Sequence, residues 1–374
     1  MQRSSELAEL VIEKGMCYVV FAYDIGAGID LDEADRRILS GKDRGRILRK
    51  RPAPQYFEYR PPPLRIVQDS EPVSIADRTT HPGVDVVLYD FGAVSVIYRI
   101  GVEGPFSALL PLSEALYENV ALLEHSRQRV ESVLAAIRPA VEKANISSFV
   151  EDYTMFHLEA CSPPIAPEEL ATTLVQDVAQ ILRCEREPLS AQEVREATSS
   201  TISFGRQDIT IIDWNAALIF GSEMEDVRAV LEFANVELLE RRFLDQQLDD
   251  ALDEAYEALS RREWERVRWP GSFQADLRRI AQMQVDSAIL FERVTNALKL
   301  LGDQYLARVY RAASQRFHLE GWDASILRKL QTLESIYGKL ADQTGNRRME
   351  VLEWIIIILI AVSIILSFIP GFPG

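Results

Sequence analysis

Apolar residues follow two rhythms along this chain, short strand-like runs first and long helical stripes afterwards. Met16 to Tyr23 (MCYVVFAY) is rich in β-branched and aromatic residues, the composition of a buried strand. Asp30 stands where an N-cap belongs and predicts a short helix to Leu39. Val84 to Asp90 and Ala93 to Ile100 read as strands joined tightly at Phe91-Gly92, a hairpin. Helices are expected from Phe106 to Asn119 and from Glu124 to Ala144. The order then recurs. Ser148 to Leu158 is strand-like, Pro167 to Arg183 is helical with Pro in its first turn, and a second hairpin joins Asp208–Asp213 to Ala216–Phe220.

The two hairpins align with each other. DVVLYDFGAVSVIY against DITIIDWNAALIFG sets Asp85 against Asp208, Asp90 against Asp213, Phe91 against Trp214, Gly92 against Asn215 and Ala93 against Ala216. The hairpin-turn residues are therefore Asp90, Gly92, Asp213 and Asn215, with Gly and Asn as the types most tolerant of positive φ. Each half reads β-α-β-β-α, and a diverged duplication accounts for the match.

Beyond Gly221 the pattern is helical throughout. Met224 to Ser260 is long, acidic and amphipathic. Ile280, Met283, Ser287, Leu290, Val294, Ala297 and Leu301 keep heptad spacing, and Trp322, Ile326, Leu330, Leu333, Tyr337 and Leu340 draw a second stripe. An antiparallel helical hairpin followed by a stalk is expected, with an apolar excess that favours a homo-oligomer. The expected fold is thus α+β: two β-α-β-β-α units, long antiparallel helices and a C-terminal transmembrane helix. Its boundaries fall at 1–144 for the first unit with a Pro-rich basic insert at 41–82, 145–223 for the second, 224–345 for the helices and 349–369 for the anchor.

The anchor is the sharpest single feature. Trp354, Ile355, Ile356, Ile357, Ile358, Leu359 and Ile360 open an apolar run to Ile369, broken only by Ser363 and Ser367 among polar residues. Met349 to Ile369 as a helix spans about 31 Å, against about 30 Å of bilayer hydrocarbon. Trp354 suits the headgroup zone, and Arg347 and Arg348 on its flank predict that the bulk of the chain stays on the cytoplasmic side. The N-terminus MQRSSELAELVIEKG has no apolar core of a signal peptide. Cys17, Cys161 and Cys184 are too few and too scattered for a disulfide framework.

The 374-residue chain carries a net charge of −16, which repels nucleic acid and anionic lipid except where basic residues gather. They gather once, from Arg36 to Arg51. Within that cluster Arg46, Arg49, Lys50 and Arg51 are the candidate contact for an anionic partner, lipid headgroup or ribosomal RNA. The competing reading pairs them with the protein's own acidic helices. Prolines 52, 54, 61, 62, 63, 72 and 82 make 41–82 read as an inserted loop or extended arm.

No catalytic, cofactor or metal constellation emerges. Gly26-Ala27-Gly28 has Leu31 where a dinucleotide fingerprint needs its third Gly, so it reads as a turn. His157-Leu158-Glu159 lacks the C-x-x-C of the zinc deaminases and alternates like a strand. Asp90-Phe91-Gly92 has none of the companion motifs of a kinase. The acidic run from Asp245 to Glu257 is the solvated face of a helix.

Two blocks, Asp213 to Asp249 and Arg328 through Ile360, resemble a domain-of-unknown-function family known from eukaryotic members required for meiotic nuclear division. Looser similarity at Cys17 to Tyr23 and Val86 to Arg99 extends the match over most of the chain, with 41–82 outside it. The resemblance implies an α/β domain, a helical region and a C-terminal membrane helix; no catalytic residues are established for the family, so none carries over. From the mitochondrial members it also implies a tie to organellar translation, through tethering of ribosomes to the inner membrane. The expected function is a tail-anchored, non-enzymatic scaffold or adaptor with a lipid surface and a ribosome or other protein as partners. The alternatives are a membrane-anchored sensor that binds a small molecule between the duplicated units, and an enzyme of unrecognised type.

Overall fold

Strand β1 (Val11–Asp24) extends beyond the apolar run that predicts it, because its first residues pair with Gly104–Pro105 and its remainder lies between two long neighbours. A computed structural model describes residues 10–40, 47–51, 61–260, 285 and 304–338. The strands after β1 are β2 (Gly28–Ile29), β3 (Ile47–Arg51), β4 (Leu64–Asp69), β5 (Ser74–Ile75), β6 (Arg78–Thr79), β7 (Gly83–Leu88), β8 (Ala93–Gly101), β9 (Gly104–Pro105), β10 (Val141–Glu142), β11 (Val150–Ser162), β12 (Ser200–Ile202), β13 (Ile209–Ile212) and β14 (Ala216–Phe220). The helices are α1 (Leu31–Ser40), α2 (Leu109–Leu116), α3 (Val120–Ile137), α4 (Val175–Arg183), α5 (Ala191–Ala197), α6 (Glu225–Ser260), α7 (Gln304–Arg316) and α8 (319–338).

The chain divides into two compact units. The first, Met1–Phe243 with Leu290–Asp323, holds a ten-stranded sheet in the order β12-β13-β14-β11-β1-β8-β7-β4-β3, with β9 beside β1. Both expected α/β halves therefore contribute to one sheet, joined at the antiparallel β1–β11 pair. Successive residues of β1 enter opposite cores. Cys17, Val19, Phe21 and Tyr23 pack with α1, α2, α3 and α4, while Val20 and Ala22 pack with α6 and α7. A strand covered on both faces is apolar at every position, so this one reads as a continuous run.

Local signals explain several element ends. Glu33 N–H donates to the Asp30 carboxylate at 2.9 Å, so Asp30 caps α1 as expected. Asn119 caps α3 by accepting from Leu122 N–H at 2.9 Å, which starts that helix four residues earlier than its apolar pattern suggests. The expected helix from Pro167 to Arg183 is split into one turn, Pro167–Leu170, and α4.

One expectation needs correction, and two arrangements go beyond what the apolar pattern expresses. The insert at 41–82 contains structure: β4 pairs antiparallel with β7, β3 pairs with β4, and Leu64 and Ile66 reach the core. Apolar residues at 64, 66 and 67, all buried, outweigh the prolines on either side. The two hairpins also join their long strands in opposite senses, since β8 is antiparallel to β1 but β14 is parallel to β11. The described helix pair of the second unit (Leu244–Ile289 with Ala324–Gly374) runs parallel, and the expected antiparallel partner of α6 is a different segment, 280–301. Asp245 meets Ser325 and Lys329, and Asp249 meets Lys329, so contacts advance in the same direction on α6 and α8. Leu244, Leu248, Ala251 and Ala255 pack there against Ile326, Leu330, Leu333 and Tyr337, so most of the second stripe serves an internal core. The heptad from Ile280 to Leu301 lies outside the described residues, as does the anchor at 349–369.

The first hairpin turn yields a test of packing. Gly92 has φ +104°, and a Cβ there would lie 1.8 Å from the Gly26 carbonyl oxygen. Gly92→Ala should cost about 3 kcal/mol or more in denaturant unfolding, through backbone strain plus overpacking. Gly101→Ala is the control, because its Cβ meets nothing within 4 Å, and should stay within about 0.5 kcal/mol. Equal losses in the two variants would show that the turn is not packed as described.

Candidate functional site

The strand registers bring the end of β1, the start of β11 and both hairpin turns to one end of the sheet. At the first turn, Tyr89 N–H donates to Ala93 O at 2.9 Å and Gly92 N–H to Tyr89 O at 3.2 Å. The loop after β1 packs against it. Ile25 N–H donates to Gly92 O, Ile29 N–H to Asp90 O and Ala27 N–H to Glu142 O, at 2.8–2.9 Å. The amides of Ile25, Ala27 and Ile29 thus serve main-chain carbonyls and that of Gly26 serves the Asp24 carboxylate, which is the chemistry of a turn.

The second turn holds a different kind of site. Asp213 is fully buried, and its carboxylate lies between Arg183 of α4, at 2.5 Å, and Arg316 of α7. Arg316 reaches on to Glu196 of α5 at 2.7 Å, and Tyr153 O–H donates to the Asp213 main-chain oxygen at 3.0 Å. The Asp213 carboxylate thereby ties α4 and α7 to the end of β13, Glu196 adds α5 through Arg316, and the Asp213 main-chain oxygen adds β11. Burial works against the Arg316 charge, but hydrogen bonds to Asp213 and Glu196 hold its pKa above the ordinary arginine value. Burial, and secondarily Asp213, pushes the Tyr153 phenol well up. Trp214 at the tip is half exposed, with the Arg183 guanidinium 6.0 Å from its ring centre.

Asn215 is not at positive φ, unlike Gly92, so the rationale that equates them fails. Its role is bonding: Nδ2 donates to Cys184 Sγ at 3.6 Å and its carbonyl accepts from Thr154 N–H at 3.3 Å. Cys184, in left-handed conformation at the end of α4, also lies 3.1 Å from Ser113 Oγ. Burial raises its pKa, which leaves the thiol protonated at neutral pH.

Further buried carboxylates on α6 escape sequence reading because they sit among apolar neighbours of an acidic helix. Glu232 pairs with Arg65 of β4 at 2.8 Å and accepts from Tyr89 O–H at 3.2 Å. Glu237 accepts from Tyr310 O–H of α7 and lies 3.7 Å from Arg241, which donates to Asp323 at 2.6 Å. Burial pushes Glu237 up to about 7 against the pull of Arg241. Burial likewise lifts Glu151, paired with Arg242, and Asp24 to about 7.

Of the other residues singled out in the sequence, Arg49, Lys50 and Arg51 lie in β3, at the edge of the sheet opposite Val67, Ile66 and Arg65. Arg46 and the anchor residues Trp354 to Ile360 lie outside the described residues. Among the described residues no helix is long and apolar enough to cross a membrane, and no group of three or more His, Cys, Asp or Glu is placed to hold a metal. His157 lies in β11 as its alternation indicates, bonded through Nε2 to Gly221 O at 2.9 Å, while Glu159 pairs with Lys14.

A family model described as "Uncharacterized protein MJ0711, N-terminal domain" matches residues 14–226, which takes in the sheet and both hairpins. The chain belongs to that family. It is 24% identical over 234 residues to Uncharacterized protein MJ0711 of Methanocaldococcus jannaschii, a match covering 61% of this chain and 69% of that protein. No solved structure matches the chain.

Two outcomes test the buried charges. Asp213→Asn leaves two guanidinium groups without their carboxylate and should destabilise by about 3–5 kcal/mol in chemical denaturation. A loss below about 1 kcal/mol would mean the clamp is solvated. Glu237 has a raised folded pKa, so its contribution is full below the unfolded value near 4.3 and is lost as pH rises to about 7. Glu237→Gln should therefore gain about 2 kcal/mol relative to the parent between pH 5 and pH 8. A parallel shift at both pH values would contradict the assignment.

Proposed function

We propose that the protein is a non-enzymatic scaffold, anchored by its C-terminal apolar segment, that holds an anionic partner beside a membrane. The observation that carries this reading is the outer strand β3, where Arg49, Lys50 and Arg51 fall consecutively on the edge of a sheet in a chain of net charge −16. Basic residues on an edge strand oppose pairing with a second copy of the same edge and attract negative charge. The arginine–carboxylate clamps at Asp213 and Glu232 and the Tyr310–Glu237 hydrogen bond support it in a second way, because they fasten α4, α5, α6 and α7 to the sheet and to one another and give a stiff platform. The resemblance in Asp213 to Asp249 to the meiotic-nuclear-division family points the same way, towards a ribosome as the partner.

The platform itself is read as a diverged duplication. Both halves keep the order strand, helix, hairpin, helix, and the aligned turns sit at one end of the sheet.

The tether is tested by ending the chain after Glu350. The full chain should stay with membranes through a high-salt wash, and the shortened chain should be soluble with the same melting temperature. Replacing Arg49, Lys50 and Arg51 with Ser in the shortened chain should weaken binding to ribosomes and flatten its salt dependence. A shortened chain that still pellets after the salt wash, or binding unchanged in the triple variant, would count against the reading.

A further inference from the structure

A band of polar side chains crosses the face of the sheet that packs against α3. Gln68 on β4 stands opposite Val84, whose side chain shares a core with Tyr98 of β8. The Tyr98 hydroxyl lies 2.7 Å from His125 Nδ1, and His125 Nε2 lies 3.1 Å from Ser70 Oγ, just beyond β4. Burial and then the charge of Arg129 lower the His125 pKa, so the ring is neutral. In that state Tyr98 O–H donates to Nδ1, Nε2–H donates to Ser70 Oγ, and the Ser70 proton reaches the Glu71 carbonyl at 3.3 Å.

Two groups in the band are left over. Gln68 is 4% exposed, and its Oε1 has no hydrogen-bond partner among the described residues. Arg129, one helical turn beyond His125 on α3, has a buried Nε in the same condition. Arg129 is close enough for its charge to act on both Tyr98 and His125. Among the described residues no carboxylate pairs with it, although acidic residues outnumber basic ones by 57 to 41. Arg65, Arg183, Arg241 and Arg316 each have such a partner. A buried polar group without a partner costs about 1–3 kcal/mol, and a bound ion is one of the ordinary resolutions.

The two orphans are complementary in kind. One is a cationic donor and the other a neutral acceptor, so the group that satisfies both is an anion that also carries a proton. We propose that the band formed by Gln68, Ser70, His125 and Arg129 binds inorganic phosphate. Arg129 takes the anionic oxygens, Gln68 Oε1 accepts the P–OH proton, and Ser70 Oγ lies beside them. Sulfate is fully deprotonated at neutral pH and would turn lone pairs towards Gln68 Oε1. A phosphomonoester dianion has the same defect. The site should therefore prefer inorganic phosphate to both, on the principle that an unmatched buried hydrogen-bonding group rejects the analogue.

The test is isothermal titration of the full chain in detergent micelles at pH 7.5 with inorganic phosphate, sulfate and glycerol phosphate. Phosphate should bind saturably, one per chain, and at least about tenfold more tightly than the other two anions. Arg129→Gln should weaken phosphate at least about tenfold. Gln68→Leu should bring phosphate and sulfate to equal affinity while the circular dichroism stays unchanged. If Arg129→Gln folds poorly, the His125 ring resonances of the parent protein decide, since they should move on titration with phosphate and stay still with sulfate. Absence of saturable phosphate binding, equal affinity for sulfate in the parent, binding unaffected by Arg129→Gln, or His125 resonances indifferent to phosphate would each overturn the proposal.

Discussion

The antiparallel pairing of β1 with β11, from Val11 opposite Ser162 to Tyr23 opposite Val150, is the interaction that the rest of the first unit depends on. It joins the two α/β halves, and the outer strands are built outwards from it in both directions. Because the side-chain period of a strand is two, this one register decides what enters each core. Val19, Phe21 and Phe156 turn to one set of helices, and Val20, Ala22 and Met155 to the other. A slip by a single residue would exchange the two sets. It would also carry Glu151, which faces Arg242 of α6, onto the wrong face.

Buried charge then does what the apolar layers cannot, which is to fix the helices in one setting. Apolar burial contributes about 1.5–3 kcal/mol for each large side chain, but it has no direction. Asp213, Glu232 and Glu237 each meet a specific donor on another element, so a helix shifted by one turn would strand a charge. Replacing such a group with a well-packed apolar one can be neutral, whereas removing a single partner is costly. The clamps therefore act as specificity devices as much as sources of stability.

Much of this architecture is legible in the residues. Strands buried on both faces give nearly unbroken apolar runs, which is why β1, β7, β8, β13 and β14 are visible, β11 shows through its alternation, and Asp30 marks the start of α1. Proline density hides β3 and β4, because their pairing to β7 is a long-range matter that local composition does not express. The parallel setting of α6 and α8 depends on side chains 80 residues apart, such as Asp245 and Ser325, and a periodicity cannot reveal it. The site was half visible. Asp213 stands out only as a turn residue, and its burial between Arg183 and Arg316 needs the fold. Gln68 and Arg129 carry no sequence signal at all, since each becomes distinctive only by lacking a partner where it lies.

Native-state hydrogen exchange tests the central pairing most directly. If β1 and β11 hold the sheet together, the amides of Val19, Val20, Tyr153 and Met155 should exchange only through global unfolding. Those of the edge pair β3–β4 should open at a lower free energy. Exchange of the β1 and β11 amides ahead of those in the β7–β8 and β13–β14 hairpins would contradict the account, because the halves would then part before either hairpin melts.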